Sequence, residues 1–217
     1  MKTPINYEDG KVYDYVYTSS EHEHHHDYLM PSLLKLINSI SEQGTKQLSI
    51  LDIGCGSGSI CGFLSRLDHS VTGIENSKSG LEYAKAAYKN CEFIEASVYD
   101  VPRLGLDQKF DVVLSVEVIE HLFYPRELVR AAKTCLKPNG MLILTTPYHG
   151  YMKNFLIALM GKSDQHFNPL WDGGHIKFFS PQTLEELLQE EGILDIKADF
   201  VGRLPFLWKS MIFSGKV

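Results

Sequence analysis

At residues 51–58 the chain reads LDIGCGSG, and this stretch decides the predicted fold. The apolar run at 48–53 has the length and the β-branched content of a buried parallel strand, and three glycines follow it at every second position. Glycine is needed where φ is positive and where the backbone must approach a ligand without a Cβ in the way. We therefore expect a strand, a ligand-binding loop and then a helix from Gly58 to Leu67 whose N-terminus points at the ligand.

The next predicted strand indicates what the ligand contains. An apolar run at 70–74 ends in Glu75. In an open α/β sheet an acid at this place accepts hydrogen bonds from both ribose hydroxyls, so the ligand is expected to carry a ribose. A dinucleotide is disfavoured, because its fingerprint would need a glycine at the position of Ser59.

Two motifs carry a resemblance to a known family. Residues 52–58 follow the acid-x-G-x-G-x-G pattern of the first motif of the class I S-adenosylmethionine-dependent methyltransferases. The block FDVVLSVEVIEH at 110–121, with Pro125 after it, looks like the F-D-x-V…E-x-x-E-H block of the ubiquinone-biosynthesis type of small-molecule O-methyltransferases. The resemblance covers about residues 46–201. It implies an α/β, Rossmann-like fold with a mostly parallel seven-stranded sheet flanked by helices, S-adenosylmethionine as the cofactor, and methyl transfer to a small-molecule acceptor, most simply at a hydroxyl oxygen.

The alternation of strand-like and helix-like segments predicts the same parallel sheet, with helices on both faces. The expected strands lie at 48–53, 70–75, 92–96, 110–115, 140–146, 193–201 and 206–213, and the expected helices at 28–40, 58–68, 77–88, 125–136 and from Pro181 to before Gly192. We expect one domain in four parts, which are an N-terminal lid and helix (1–45), a cofactor-binding core (46–147), a substrate-covering insertion (148–179) and a C-terminal helix with closing strands (180–217).

Ligands of open α/β sheets lie beyond the carboxyl ends of the strands, and this rule together with the resemblance gives the expected cofactor contacts. Ser97 departs from the family pattern, which often has an acid here for the adenine amine, so a backbone contact near Val98 is expected instead. The full set is Asp52, Gly54, Cys55, Gly56, Gly58, Glu75, Asn76, Ser97, Val98, Val116 and Glu117.

Titratable groups are concentrated at 117–121. If these residues form one helical turn, Glu117, Glu120 and His121 project from one face, and such a set suits a divalent metal that lowers the pKa of a substrate hydroxyl. Some members of the resembled group are understood to use a metal in this way. In the other interpretation Glu117 lines the methionine end of the cofactor, while the other two residues organise the start of a helix.

The segment 148–179 has no clear periodicity, and a loop of this length in a compact domain is usually functional. Its aromatic residues lie beside histidines, which suits a pocket for a partly apolar acceptor. We expect His175 and His121 to be the catalytic histidines, with one imidazole serving as proton acceptor. Each could instead be a hydrogen-bonded imidazole that ties the loop to the core.

The composition indicates which binding partners and which cellular compartment to expect. A chain of 217 residues with 44% apolar content and a formal charge of −6 can form one sizeable domain, and its lack of a basic cluster disfavours nucleic acid. The four cysteines have no C-x-x-C spacing, and no signal peptide or long apolar run is seen, so a cytoplasmic protein is expected. The apolar stretch around Trp208 and Lys209 reads as a buried strand, with contact to a membrane surface as the alternative. Nothing indicates the oligomeric state.

Two other functions stay open at this point. Methyl transfer to a nitrogen would need no metal if the nitrogen were already neutral. A protein that binds the cofactor without catalysis would have no use for titratable groups at the strand ends. The sequence does not identify the methyl acceptor.

Overall fold

The computed structural model describes residues 15–19, 26–41 and 47–217. Most of the expected N-terminal lid lies outside these ranges, and so does the histidine-rich run at 22–25. The division of the chain into four parts therefore stays a prediction.

The described residues contain seven strands, seven α-helices and two short 3-10 helices. The strands are β1 Ser49–Ile53, β2 Ser70–Glu75, β3 Glu92–Glu95, β4 Phe110–Val116, β5 Leu136–Pro147, β6 Leu194–Val201 and β7 Ser210–Lys216. The helices are α1 His26–Ser41, α2 Ser59–Ser65, α3 Lys78–Ala87, α4 Pro125–Cys135, α5 Tyr151–Leu159, α6 Ser163–His166 and α7 Pro181–Glu190, and the 3-10 helices are Val98–Arg103 and Ile119–His121.

All seven strands form one sheet in the order β3-β2-β1-β4-β5-β7-β6. Strands β1 to β5 run parallel, whereas β7 is antiparallel to both β5 and β6. The prediction of a mostly parallel seven-stranded sheet is confirmed. The chain passes from β3 at one edge of the sheet to β4 beside β1, so the strand order reverses between β1 and β4. A crevice is therefore expected beyond the carboxyl ends of these two strands.

The apolar core lies in two layers, one on each face of the sheet. Along β1, Ile50 packs with the layer that contains α1 and α2, whereas Leu51 and Ile53 pack with the layer that contains α4 and α7. Side chains of a strand alternate between faces, so a strand covered on both faces reads as an unbroken apolar run. This explains why β1 was recognisable from its sequence.

The last strand differs from the prediction. We expected it at 206–213, but β7 begins at Ser210, which pairs with Pro147 at the end of β5. Pro205 lacks the N–H that a sheet needs, and Phe206 has a φ of 65°, so the apolar residues before Ser210 turn instead of extending. No helix in the described part of the chain is both long enough and apolar enough to cross a bilayer.

Candidate active site

The glycine loop joins β1 to α2 in a tight turn. The backbone N–H groups of Gly54 and Cys55 both donate to the carbonyl of Ile74, at 2.8 and 3.0 Å. Gly54 has a φ of 81°, and a Cβ there would lie 2.5 Å from Val118 Cγ2. The backbone conformation and the close approach of Val118 therefore both require glycine at this position.

Glu75 fixes the far side of this loop. Its Oε2 accepts a hydrogen bond from Gly56 N at 2.8 Å, and its Oε1 accepts from Asn76 N and Ser77 N, each at 2.8 Å. Two hydrogen bonds fill the lone pairs of Oε1. The side chain is thus both the expected ribose acceptor and a clamp between the glycine loop and α3.

The described N-terminal residues 15–19 lie against the same loop. Tyr17 N donates to Ser79 Oγ at 2.9 Å, and Ser77 Oγ donates to the carbonyl of Tyr15. The ring of Tyr17 packs so closely on Gly56 that a Cβ there would lie 2.6 Å from the phenolic oxygen. Local patterns do not predict this contact, because its two residues are 62 positions apart.

Asp52 is buried next to the glycine loop, with a relative exposure of 1%. Its Oδ2 accepts from Cys61 Sγ at 3.5 Å, and its Oδ1 has no hydrogen-bond partner among the described residues. Burial raises the pKa of Asp52 to about 7. An unpartnered buried oxygen is costly, so this loop is suited to a ligand that brings a donor or a positive charge.

The other expected cofactor residues lie at neighbouring strand ends. Ser97 follows β3, and its Oγ accepts from Tyr99 N at 3.3 Å, which starts the 3-10 helix at Val98. Ala96 N donates to the carbonyl of Glu75, so this end adjoins the end of β2. Val116 ends β4. The structure thus brings the predicted set to one edge of the sheet, and its contact with a cofactor remains a proposal.

Glu117 does not belong to a helical turn. Its φ is 54°, and the 3-10 helix begins only at Ile119, so the predicted turn over 117–121 is wrong. The carboxylate is held by Thr145, whose Oγ1 donates to Glu117 Oε1 at 2.9 Å. Burial raises the pKa of Glu117 to about 7. Glu117 is not part of the group of clustered ligand atoms that Glu120 and His121 form.

Glu120 and His121 instead meet His175. One ligand atom from each of the three residues lies within 4.8 Å of the others. Glu120 is buried, its Oε2 accepts from Thr146 Oγ1 at 3.0 Å, and its Oε1 has no hydrogen-bond partner in the described part of the chain. His175 Nε2 lies 3.9 Å from that free oxygen.

Backbone contacts hold the three side chains in place. His121 Nδ1 lies 2.9 Å from the carbonyl of Gly173. A carbonyl oxygen only accepts, so Nδ1 carries the proton and Nε2 keeps its lone pair. The carbonyl of Glu120 accepts from Ile176 N and Lys177 N, each at 2.9 Å, which fixes the segment that carries His175.

The electrostatics follow from burial. Burial, with the nearby Glu117 charge, raises the pKa of Glu120 well above its usual value. Burial lowers the pKa of His121, and burial with the neighbouring histidines lowers that of His175 to about 4. Two neutral imidazoles and a carboxyl group are metal ligands by type. Two ligand bonds of about 2.1 Å span about 4.2 Å, so a small side-chain movement would close this set around an ion.

Residues 148–179 pack over this cluster with aromatic rings. Trp171 contacts the rings of His121 and His175 with centroid distances of 5.9 and 5.2 Å. The ring of His149 stacks on Phe167 at 5.7 Å, and burial lowers its pKa to about 4. The insertion therefore lines the space beyond β4 and β5 with apolar rings and uncharged imidazoles.

Two residues near the site had no sequence signal. Lys153 is 8% exposed, and its Nζ donates to the carbonyl of Tyr148 at 2.8 Å. Burial lowers its pKa to about 8. Tyr28 on α1 shares a hydrogen bond of 3.2 Å with Ser210 on β7, and burial, with the charges of Glu117 and Glu120, raises its pKa. The Tyr28 contact depends on the closing strand, so local patterns do not predict it.

Comparison with known proteins gives the family. The family model of the methyltransferase domain matches residues 22–196. This chain belongs to the methyltransferase family. The methyltransferase is 32% identical, over 162 residues, to a ubiquinone biosynthesis O-methyltransferase of Bradyrhizobium diazoefficiens, and the match covers 73% of this chain and 63% of the relative.

Solved structures agree on the fold of this methyltransferase. A SAM dependent methyltransferase from Archaeoglobus fulgidus superposes with a TM-score of 0.66 at 15% identity, covering 87% of this chain and 93% of the other. Magnesium protoporphyrin IX methyltransferase from Synechocystis, solved with bound SAH, superposes with a TM-score of 0.63 at 19% identity, covering 86% and 82%. The chain spans about 60 to 70% of the length of several curated relatives that it matches.

Proposed function

We propose that this methyltransferase moves the methyl group of S-adenosylmethionine to a hydroxyl oxygen of a small-molecule acceptor. The observation that carries the proposal is the cluster of Glu120, His121 and His175 beyond β4. A hydroxyl must lose its proton as the methyl arrives, and this cluster offers the groups that can assist that loss. The name of the Bradyrhizobium relative supports a hydroxyl acceptor.

The cofactor half supplies binding and orientation. Glu75 would accept hydrogen bonds from the two ribose hydroxyls, and the orphan Oδ1 of Asp52 would gain a partner from the cationic methionine end. The backbone near Ser97 and Val98 would border the adenine, with Val116 and Glu117 towards the methionine end. The cofactor supplies an electrophilic methyl on a sulfonium, so the protein must align the acceptor and exclude water.

The acceptor half would assist proton loss by one of two routes. Glu120, His121 and His175 would hold a divalent cation, which would supply electrostatic stabilisation of an oxyanion. Without a cation, an imidazole would accept the proton directly, and His175, whose Nε2 lies 3.9 Å from Glu120 Oε1, is the predicted base. Glu117 stays a predicted ligand, but Thr145 holds it outside this group.

A nitrogen acceptor and a non-catalytic role have less support. The buried carboxyls and paired imidazoles are groups that could assist the loss of a hydroxyl proton, and a binding protein would not need them. All four cysteines are free, which supports the expected cytoplasmic location. The net charge of −6 supports a small molecule over nucleic acid as the acceptor.

Chelation and mutation together test this proposal. With a cation, treatment with chelator should abolish methyl transfer to phenolic and alcoholic test acceptors, and added Mg²⁺ or Mn²⁺ should restore it. Glu120→Ala should lose activity by about 10²-fold or more while S-adenosylhomocysteine still binds in calorimetry. The exposed Glu82→Ala on α3 is the matched control and should keep full activity.

Other outcomes decide between the routes. If chelator has no effect but His175→Ala costs about 10²-fold, the imidazole route is correct and the cation is not used. If neither treatment changes the rate, the proposed role of the cluster is wrong. If amines are methylated and none of the hydroxyl acceptors is, the hydroxyl proposal is wrong and a nitrogen acceptor takes its place.

A further inference from the structure

Lys153 on α5 is a buried charge that has no carboxylate partner among the described residues. Its relative exposure is 8%, and burial lowers its pKa to about 8, so it is protonated at neutral pH. Its Nζ donates to the carbonyl of Tyr148 at 2.8 Å and to that of Lys209 at 3.5 Å. Carbonyl oxygens repay only part of the cost of burying an ammonium group. A lysine has three N–H donors, so one donor remains for a ligand.

A second positive charge and an imidazole lie close to Lys153. Burial lowers the pKa of Lys153 and of His166, and the charge of Arg203 lowers both further, which places these three side chains near one another. Glu117 is the acid whose charge acts on Lys153, but the two residues do not form an ion pair. Groups of one sign of charge that line a site raise the local concentration of ions of the opposite sign. This place is therefore suited to an anion.

His149 adds buried polar atoms that have no partner. The residue is 7% exposed, and its Nδ1 makes no hydrogen bond within the described part of the chain. Asn154 lies beside it in the first turn of α5, and its buried Oδ1 also lacks a partner among the described residues. Buried polar atoms are normally hydrogen-bonded, so these orphaned atoms indicate that a polar group of a ligand binds here.

Aromatic rings provide apolar surface next to these polar groups. The rings of Phe178 and Phe167 lie 5.2 and 5.7 Å from the ring of His149, and 5.0 Å from each other. Burial lowers the pKa of His149, and the charge of His175 is among the further causes, so this place adjoins the cluster that contains His175. A ligand that combines an anionic group with an apolar ring fits such surroundings.

The balance of charge around these residues is opposite to that of the whole chain. The segments 150–178 and 202–209 carry five basic and two acidic residues, whereas the chain has 21 basic and 27 acidic residues. An anionic ligand would thus be repelled by most of the protein and attracted to this side. We define the basic cluster as His149, Lys153, His166 and Arg203.

We propose that the methyl acceptor carries an anionic group, a carboxylate or a phosphate monoester, that binds to the basic cluster. Lys153 and Arg203 supply the positive charge, and His149 supplies a further hydrogen-bonding group. The rings of Phe167 and Phe178 hold the apolar part of the acceptor. The inference rests on the proposed function, because it describes the acceptor of that reaction.

The carboxylate at the methionine end of the cofactor is the competing occupant of the basic cluster. It has the same chemistry as the proposed acceptor group. Lys153 donates to carbonyls that follow β5 and precede β7, whereas the glycine loop follows β1, which is two strands away from β5. The position of the basic cluster therefore favours the acceptor.

Calorimetry on the protein saturated with S-adenosylhomocysteine tests the proposal. Benzoate, phenyl phosphate and benzamide are suitable probes, because they share one ring and differ in charge. At least one anionic probe should bind about tenfold or more tightly than benzamide, and the tighter of the two anions identifies the group. Lys153→Met should weaken binding of that anion by about tenfold or more, with the affinities for benzamide and S-adenosylhomocysteine unchanged.

A second variant covers the case in which Lys153→Met does not fold, which circular dichroism and thermal melting detect. Arg203 is exposed, so Arg203→Gln leaves the fold intact and should weaken binding of the anionic probe by about threefold or more. Lys162→Gln is the matched control, because Lys162 is an exposed basic residue of the same insertion outside the basic cluster. It should bind every probe as wild type does.

Three results would overturn the proposal. Wild type could bind the anionic probes no better than benzamide, or both the Lys153 and the Arg203 variant could bind them as wild type does. Lys153→Met could instead lose affinity for S-adenosylhomocysteine alone, which would assign the charge to the cofactor. Probe binding is measured without methyl transfer, so a failure of the hydroxyl proposal would leave this result unchanged.

Discussion

The cofactor half and the acceptor half of the site differ in how their residues come together. In the cofactor half, Gly56 and Glu75 are 19 residues apart and lie after consecutive strands. In the acceptor half, His121 contacts a carbonyl 52 residues away, on a segment without regular secondary structure. The residues of a site that follow neighbouring strands can be predicted from a sequence motif. Residues that a distant loop brings to the site can be identified only once the fold is known.

The largest expected effect in the cofactor half is that of Glu75→Ala. The variant would lose the proposed ribose acceptor, and it leaves three backbone N–H groups without their carboxylate. Charge-assisted hydrogen bonds contribute about 1.5–3 kcal/mol each, so the affinity for S-adenosylhomocysteine should fall by about 10²-fold or more. Calorimetry measures this fall.

Glu95→Ala is the matched control, because Glu95 pairs with Glu75 in the sheet register and ends the next strand. It should bind the cofactor product as wild type does. Equal affinity in wild type and Glu75→Ala would show that the ribose lies elsewhere, and the comparison between the two halves would lose its basis.

Specific residues show which parts of the fold could be predicted. β2 was predicted at its observed bounds, and β1 within one residue, because both are apolar runs that end in a loop signal. The start of β7 was wrong by four residues, since its register is set by pairing with β5 and not by its own apolar content. Local sequence predicts a strand, and the partner strand sets its ends.

The candidate site shows the same limit. The acid at Glu75 and the glycine loop were predicted together and lie together. Glu117 was predicted to join Glu120 and His121 on one helical turn, but it has a positive φ outside the helix, and the clustered set in the structure is Glu120, His121 and His175. A positive φ at a glutamate has no sequence signal, and neither has a contact that depends on the path of a long loop.

An intermediate effect is expected from the buried acid beside the glycine loop. Burial raises the pKa of Asp52 from 3.8 to about 7. The native state therefore keeps a proton that the unfolded state releases, and this stabilising contribution is complete below about pH 4 and is lost as the pH rises to about 7. Relative to Asp52→Asn, the free energy of unfolding of the cofactor-free wild type should fall by about 2–4 kcal/mol across this range.

Denaturant titrations at several pH values measure this difference. The exposed Asp164→Asn should follow the wild-type pH profile. A parallel pH dependence in wild type and Asp52→Asn would contradict a raised pKa at this position. It would also remove the support that Asp52 gives to a positively charged ligand at the glycine loop.

The smallest expected effect is a difference in amide hydrogen exchange between the cofactor half and the insertion that covers the acceptor half. Amides in 148–179 should exchange with solvent faster than those of β1, because few regular backbone pairings hold the insertion, and they should slow when S-adenosylhomocysteine binds. Hydrogen exchange followed by mass spectrometry resolves the two segments. Equal protection with no change on binding would rule out a cover that responds to the cofactor.

The position of β7 has a consequence for synthesis of the chain. β7 lies between β5 and β6, and its residues Met211, Ile212 and Phe213 are at most 1% exposed. While the ribosome has not yet released residues 210–216, β5 and β6 have no strand between them, and the apolar edge of β5 is open. Open strand edges pair with other chains, so the nascent polypeptide needs protection until its last strand emerges.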